Sequence, residues 1–426
     1  MWFSRVKWFL QKKATEVRLR LRPFLSLVCL FLLIGSSSVC AQEAVSDTSS
    51  TSGHNVILIV GDGMGPAFVT AARVDSEGAS GTLALDSLPR TALVRTYARD
   101  YIVTDSAAAA TAMSCGEKTA VGILGMRADA RERKGAGRDL ENLTEWGARW
   151  GISVGVVTNT SVTNATPAAF YAHHTNREAE YEIAQQASKS SLVLLMGGGE
   201  QYFRRGVDLA GWTVFRSQPD LIKHKPWEVA RVLGIFAEEH LPFELLETDR
   251  EGAPTLLQMS AWALEFMEAK RRPYLLVIEG GRIDHAAHGN RAVAAIQEVL
   301  ALDSVVNHVI GRVDESRTMV LVCADHETGG FALNGYPTHA EGIRGEAQWP
   351  GGVPVMSFAT GPGVRPRMED DTRPSVSQMG SALHTGTDIV LYAWGAGSGE
   401  VHGTLENTDI YRFIKTHLKK NVEGLE

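Results

Sequence analysis

Cysteine is scarce in this 426-residue chain: Cys29, Cys40, Cys115 and Cys323 are too few to frame a disulfide-held fold. Near the amino terminus no apolar run reaches membrane-spanning length, since the stretch 24–34 has 11 residues against the ~20 a helix needs to cross a bilayer. Excess positive charge is missing as well. The formal net charge is −7, and no basic stripe or basic–aromatic alternation occurs after residue 42, which excludes nucleic-acid binding by counterion release. Internal repeats are lacking, and the one biased stretch is short. With 44% hydrophobic and 21% charged residues, the composition excludes disorder and collagen-like architecture and fits a folded protein.

The amino-terminal segment carries an address. Arg5, Lys7, Lys12, Lys13, Arg18, Arg20 and Arg22 face a single acid, Glu16, before the apolar run and a set of small residues, the order of a signal peptide. Val39-Cys40-Ala41 offers a small-x-small cleavage site, so residues 1–41 are expected to be removed and the protein to be periplasmic or secreted. The competing reading is a lipid anchor on Cys40, for which Ser37-Ser38-Val39 is a poor approach. Cleavage moves the formal charge from −7 to −13 and leaves Cys115 and Cys323, read as buried free thiols. Residues 42–54 form a Ser/Thr-rich linker, and residues 55–426 the folded domain.

Within that domain, short apolar and β-branched runs recur at 55–60, 91–97, 153–158, 192–196, 274–278, 319–324 and 388–394, several separated by stretches rich in Ala, Glu, Arg and Leu. Buried strands alternating with helices predict a doubly wound α/β/α sandwich with a large, mostly parallel central sheet. From 334 to 383 the periodicity fades into Gly/Pro-rich sequence, read as an insertion over the active-site end. Open α/β sheets work at the carboxyl ends of their strands. Acids and histidines stand directly after the apolar runs here: Asp62, Glu279 and the pair Asp325-His326, with Asp284, His285 and His288 just beyond Glu279. One acid at a strand end is commonly a turn or cap; repetition across three strands points to chemistry.

Asp284 and His288 stand four apart, so on a helix they share a face and can grip one cation. His384 opens the last strong strand and could complete a three-ligand site with one position open. Asp325 and His326 reach a single ion only if the strand ends there, and Glu327-Thr328-Gly329-Gly330 supplies that break. Ser106 comes after Asp105 and precedes four alanines, which places it at a helix amino end where exposed N–H groups favour an alkoxide and a phosphate. The plainer reading of Asp105-Ser106 is a helix cap. Thr166 offers an oxygen to a hard cation and Arg177 a planar fork to phosphate, against a helix cap at Asn164 and a surface arginine. Asn142, Asn159 and Asn164 head glycosylation triplets. Gly151-Ile152-Ser153-Val154-Gly155 has nucleophile-elbow spacing, but its serine lies inside an apolar strand. Pro66 stands where a Rossmann fingerprint needs glycine. If Asp62, Glu279, Asp284 and Asp325 converge, they repel by several kcal/mol per pair at an effective ε of ~20, unless cations sit among them.

These residues resemble the alkaline phosphatase family through Gly61-Asp62-Gly63-Met64-Gly65, Thr104-Asp105-Ser106-Ala107, Asn164-Ala165-Thr166-Pro167, Glu279-Gly280-Gly281-Arg282-Ile283-Asp284-His285, Ala324-Asp325-His326-Glu327-Thr328-Gly329-Gly330 and His384-Thr385-Gly386, in that order. The resemblance implies one Zn²⁺ held by Asp284, His288 and His384, a second by Asp62, Asp325, His326 and Ser106, and a Mg²⁺ by Asp62, Thr166 and Glu279. It also implies that Arg177 clamps the phosphate and that small phosphate monoesters are hydrolysed through a phosphoserine on Ser106, faster toward alkaline pH, by a homodimer. Asn164 stands where family members carry Asp or His, and His285 where a Lys also occurs. Related rivals are a phosphodiesterase and a sulfatase, the latter disfavoured because Ala108 and Ala110 replace its Pro and Arg. A non-catalytic exported phosphate- or metal-binding protein is the alternative from another class.

Overall fold

The computed structural model describes residues 54–204, 206–244, 252–334, 355–360 and 381–422. The expected signal peptide, Cys40, nearly all of the linker and most of the 334–383 stretch lie outside these residues.

Fourteen strands are assigned among the described residues: β1 (Asn55–Gly61), β2 (Arg90–Arg95), β3 (Ser153–Ser161), β4 (Leu194–Gly198), β5 (Thr213–Phe215), β6 (Val232–Ile235), β7 (Tyr274–Gly280), β8 (Thr318–Ala324), β9 (Glu327–Thr328), β10 (Phe331–Leu333), β11 (Met356–Phe358), β12 (His384–Thr385), β13 (Ile389–Gly395) and β14 (Thr404–Glu406). Ten form one sheet in the order β14-β2-β13-β8-β1-β7-β3-β4-β6-β5. All seven sequence-predicted strands belong to it. The short β5, β6 and β14 were not anticipated. Within this sheet only β13 runs against the rest, pairing antiparallel with both β2 and β8. Two small ribbons, β10 with β11 and β9 with β12, stand outside the sheet, and β11 lies within the expected insertion.

The central strands are buried end to end: Val56 to Val60, Leu275 to Ile278 and Val320 to Cys323 expose essentially nothing. Parallel strands covered on both faces read in this way as unbroken apolar runs. Helices Pro66–Glu77, Leu256–Ala269 and Ala292–Ile310 pack together as one layer, and helices Ser106–Cys115 and Asn407–Lys419 pack against each other in the opposite one. Cys323 is buried and Cys115 partly so, both as free thiols. Asn142 and Asn159 are buried, Asn142 capping helix Leu143–Arg149, so neither can carry a sugar in this fold.

Asn159, near the end of β3, ties the sheet to the turn after β7. Its side-chain oxygen accepts from the N–H groups of Gly281 (2.8 Å) and Arg282 (3.2 Å), while its amide donates to the buried Glu298 at 3.0 Å. Asn159→Leu is expected to destabilise the chain by about 2–4 kcal/mol, because buried bonds are lost and one of them reaches a carboxylate. A denaturant midpoint unchanged from wild type would contradict this assignment.

Candidate active site

The sheet register sets the acids side by side. Gly61 pairs with Ala324 on one flank and Gly280 on the other, while Glu279 pairs with both Val60 and Thr158. Asp62 and Asp325 therefore leave adjacent strands at one level, and Glu279, two residues below it, lies on the next strand, with neighbouring strands ~4.8 Å apart. Because β13 runs in reverse, its start lies at this same edge, and the β9–β12 ribbon just before it carries His384 opposite Thr328. Gly63 bends the loop after Asp62 at φ 72°; a Cβ there would lie 2.9 Å from Asp284 Oδ1, so glycine is required for the approach.

Ser106 opens helix Ser106–Cys115, and Asp105 caps it by accepting from Ala108 N–H at 3.0 Å. The serine is buried, its Oγ 3.2 Å from Nε2 of His326. Asp105 uses its other oxygen to accept from Gly122 N–H at 3.0 Å and from Arg177 at 3.2 Å. Arg177 also donates to Asn164 Oδ1 at 3.4 Å. The capping carboxylate thus aims the guanidinium across the helix amino end. Thr166 donates to Asp62 at 3.5 Å. His285 packs its ring on His240, 4.5 Å between centroids, and accepts from Arg282 at 2.8 Å.

Helix Arg282–His288 sets His288 Nε2 3.2 Å from Asp284. His288 donates through Nδ1 to Ala382 C=O at 2.5 Å, and His384 through Nδ1 to Thr104 C=O at 3.0 Å. A carbonyl only accepts, so the Nδ1 protons are fixed; the His288 bond to Asp284 then needs a second proton on that ring, without which both Nε2 atoms carry lone pairs. These atoms face each other at 3.0 Å, and His384 Nε2 lies 3.6 Å from Asp284. Such an arrangement repels unless a proton or a cation lies between.

Burial pushes the carboxyls of Glu279 and Asp325 up to about 7 and that of Asp62 well above its ordinary value. Neighbouring carboxylates add to the rise at Asp62 and Asp325, whereas the hydroxyls of Thr158, Thr166 and Thr160 hold Glu279 back. Asp284 goes the other way. Burial would raise it, but the hydrogen bond with His288 leads the opposing effects that outweigh this and hold it below the usual carboxylate range. Burial keeps His326 neutral, its pKa well below the ordinary value. Asp62 Oδ1, Glu279 Oε1 and Asp325 Oδ2 are buried without a hydrogen-bond partner. The Asp62 and Asp325 oxygens lie 3.5 and 3.3 Å from His326 Nε2. Acceptors converging on acceptors are a donor set for a cation. Ligand atoms of Asp62, Asp325 and His326, and of Asp284, His326 and His384, fall within 4.8 Å of one another.

Sequence reasoning singled out neither Glu327, which accepts from Gly330 N–H (3.1 Å), Phe331 N–H (3.0 Å) and the Thr385 hydroxyl, nor Thr328, Thr158 and Thr160. Glu327 and Thr328 adjoin Asp325-His326 in the chain, whereas Thr158 and Thr160 have no such local signal.

The family profile described as Alkaline phosphatase matches residues 53–420. The chain belongs to the alkaline phosphatase family. It is thereby a phosphoric monoester hydrolase. It is 30% identical to the tissue-nonspecific alkaline phosphatase of Gallus gallus, over 87% of this chain and 86% of that one. Identity to alkaline phosphatase 4 of Drosophila melanogaster is 28%, over 86% and 76% of the two chains. Among solved structures, alkaline phosphatase from the Antarctic bacterium TAB5 matches with a TM-score of 0.70 at 27% identity, over 86% of this chain and 99% of that one. A variant of that enzyme is described with Mg bound. The mixed, mostly parallel ten-stranded sheet is that of alkaline phosphatase structures.

One titration isolates the charge crowding. Asp325 ionises near 3.8 when unfolded and near 7 when folded, so between those values the folded chain binds more protons and its stability falls as pH rises. In chelator, Asp325→Asn should gain stability relative to wild type from pH 4 to pH 7, by on the order of a few kcal/mol. With a divalent metal ion that the cluster binds added, wild type should become the more stable of the two. A stability difference that is flat with pH in chelator would refute the crowding.

Proposed function

We propose that this chain is an exported, metal-dependent phosphomonoesterase that works through a phosphoserine on Ser106, releasing inorganic phosphate and an alcohol. The observation that carries the reading is Ser106 Oγ, at a helix amino end, facing a buried cluster of oxygen and imidazole acceptors with the Arg177 fork alongside.

Asp284, His288 and His384 would hold one Zn²⁺, Asp62, Asp325, His326 and Ser106 a second, and Asp62, Thr166 and Glu279 a Mg²⁺. The orphaned carboxylate oxygens and the facing Nε2 atoms fit such a load. Bound there, the ions supply Lewis-acid polarisation and bring serine and water hydroxyls within reach of deprotonation. Ser106 Oγ forms a bond to phosphorus as the ester O–P bond breaks and the alcohol leaves with a proton. Water then attacks phosphorus, the Ser106 Oγ–P bond breaks, and a proton from that water goes to Oγ as inorganic phosphate is released. Arg177, steadied by Asp105 and Asn164, holds the phosphate oxygens by charge-assisted bonds. On this reading His285 would stand beside the phosphate rather than among the ligands.

The basic segment, apolar run and Val39-Cys40-Ala41 support export to the periplasm or beyond; a lipid on Cys40 remains the alternative. Small phosphate monoesters as substrates and a homodimer as the working form belong to the same proposal.

Ser106→Ala should lower turnover of a nitrophenyl phosphate by on the order of 10³-fold or more and abolish radiolabelled phosphoserine. Wild-type activity should rise toward alkaline pH, exceed that on the matching diester, and vanish on exhaustive chelation. Full activity of Ser106→Ala, or of the chelated enzyme, would end the proposal.

A further inference from the structure

We infer that Thr328 is the positioning residue that joins the two halves of the site: through one hydroxyl it fixes Asp284 and sets the tautomer of His326. The inference rests on the metal-dependent reading above. Thr328 is fully buried, and its Oγ1 lies 2.5 Å from Asp284 Oδ1 and 3.2 Å from His326 Nδ1. A hydroxyl has one proton. The shorter contact, 2.5 Å to the carboxylate oxygen of Asp284, takes that proton, and Thr328 then accepts from Nδ1–H of His326. The remaining ring nitrogen, Nε2, is left with its lone pair turned toward Ser106, Asp62 and Asp325.

The backbone holds the hydroxyl in place. Thr328 N–H donates to Gly63 C=O at 3.2 Å, its residue pairs with His384 in the β9–β12 ribbon, and the absent Cβ of Gly63 leaves room where it would lie 2.8 Å from Oγ1. One residue therefore meets the segments carrying Asp62 and His384 through its backbone and Asp284 and His326 through its hydroxyl. A partner behind a ligating imidazole orients the ring and fixes its tautomer.

The test compares Thr328→Val, which keeps the shape without the hydroxyl, with Thr328→Ser, which restores it. Zinc affinity of the metal-stripped chains is read by competition with a chromophoric chelator, and the ring ¹⁵N shifts of His326 report its tautomer. Valine is expected to weaken zinc binding by about 10–100-fold and to disperse the His326 nitrogen shifts, with serine close to wild type on both. Thr328→Ala is carried alongside and read in the same way should valine not fold. Wild-type zinc affinity in the valine or alanine variant, or a loss in serine equal to that in valine, overturns the role of the hydroxyl. A wild-type chain that takes up no zinc at all overturns the metal reading as well.

Discussion

Like charges gathered at the end of a parallel sheet are the constraint on which this molecule turns. Three adjacent strands carry acids within two residues of one level at their carboxyl ends, and strands ~4.8 Å apart place carboxylates where neighbouring pairs repel by several kcal/mol at an effective ε of ~20. In the protein alone the response is proton uptake, seen in the raised carboxyls of Asp62, Glu279 and Asp325. The repulsion is borne by the structure beneath it: β1, β7 and β8 bring wholly buried apolar runs up to the residue before each acid. Burial on both faces fixes the register, and a fixed register keeps the acids from splaying.

The sheet was legible because its strands are apolar enough to stand out locally. The runs at 55–60, 274–278 and 319–324 became β1, β7 and β8, extended by one or two residues. Thr213–Phe215, Val232–Ile235 and Thr404–Glu406 were missed for a physical reason: three or four residues show no periodicity, and such strands exist by pairing at the edge of the sheet or next to it. Strand direction was equally hidden. Nothing local says that β13 inserts between β2 and β8 in reverse, yet that reversal is what brings His384 to the edge where the parallel strands finish.

Within the site, legibility tracked sequence distance. Acids after apolar runs, and the Asp284–His288 pair on one helix turn, are local patterns and could be read. The hydroxyls that organise them are not local. Thr328 meets Asp284 across 44 residues, and Thr158 meets Glu279 across 121. A threonine carries no signal of its own until the fold supplies the carboxylate, so the positioning shell is where reading from sequence stops. His285 shows the converse: it adjoins Asp284 in the chain, yet its ring lies on His240.

The site also has a direction. Asp62 and Asp325 are sealed, with side chains 5% and 0% exposed, whereas His384 and His288 rise to 15% and 32%. Anionic ligands at the floor would bind an ion most tightly where water is excluded, while neutral imidazoles at the rim leave it exchangeable and open to solvent. On the proposed reaction the attacking serine belongs to the floor, being bonded to His326, and the departing alcohol must leave past the rim toward water. The gradient of exposure thus runs along the line from nucleophile to leaving group, with the buried imidazole of His326 at the floor beside the carboxylates. That ordering comes from topology: floor residues sit on strand ends inside the sheet, and rim residues come from a short helix and a ribbon laid across its edge.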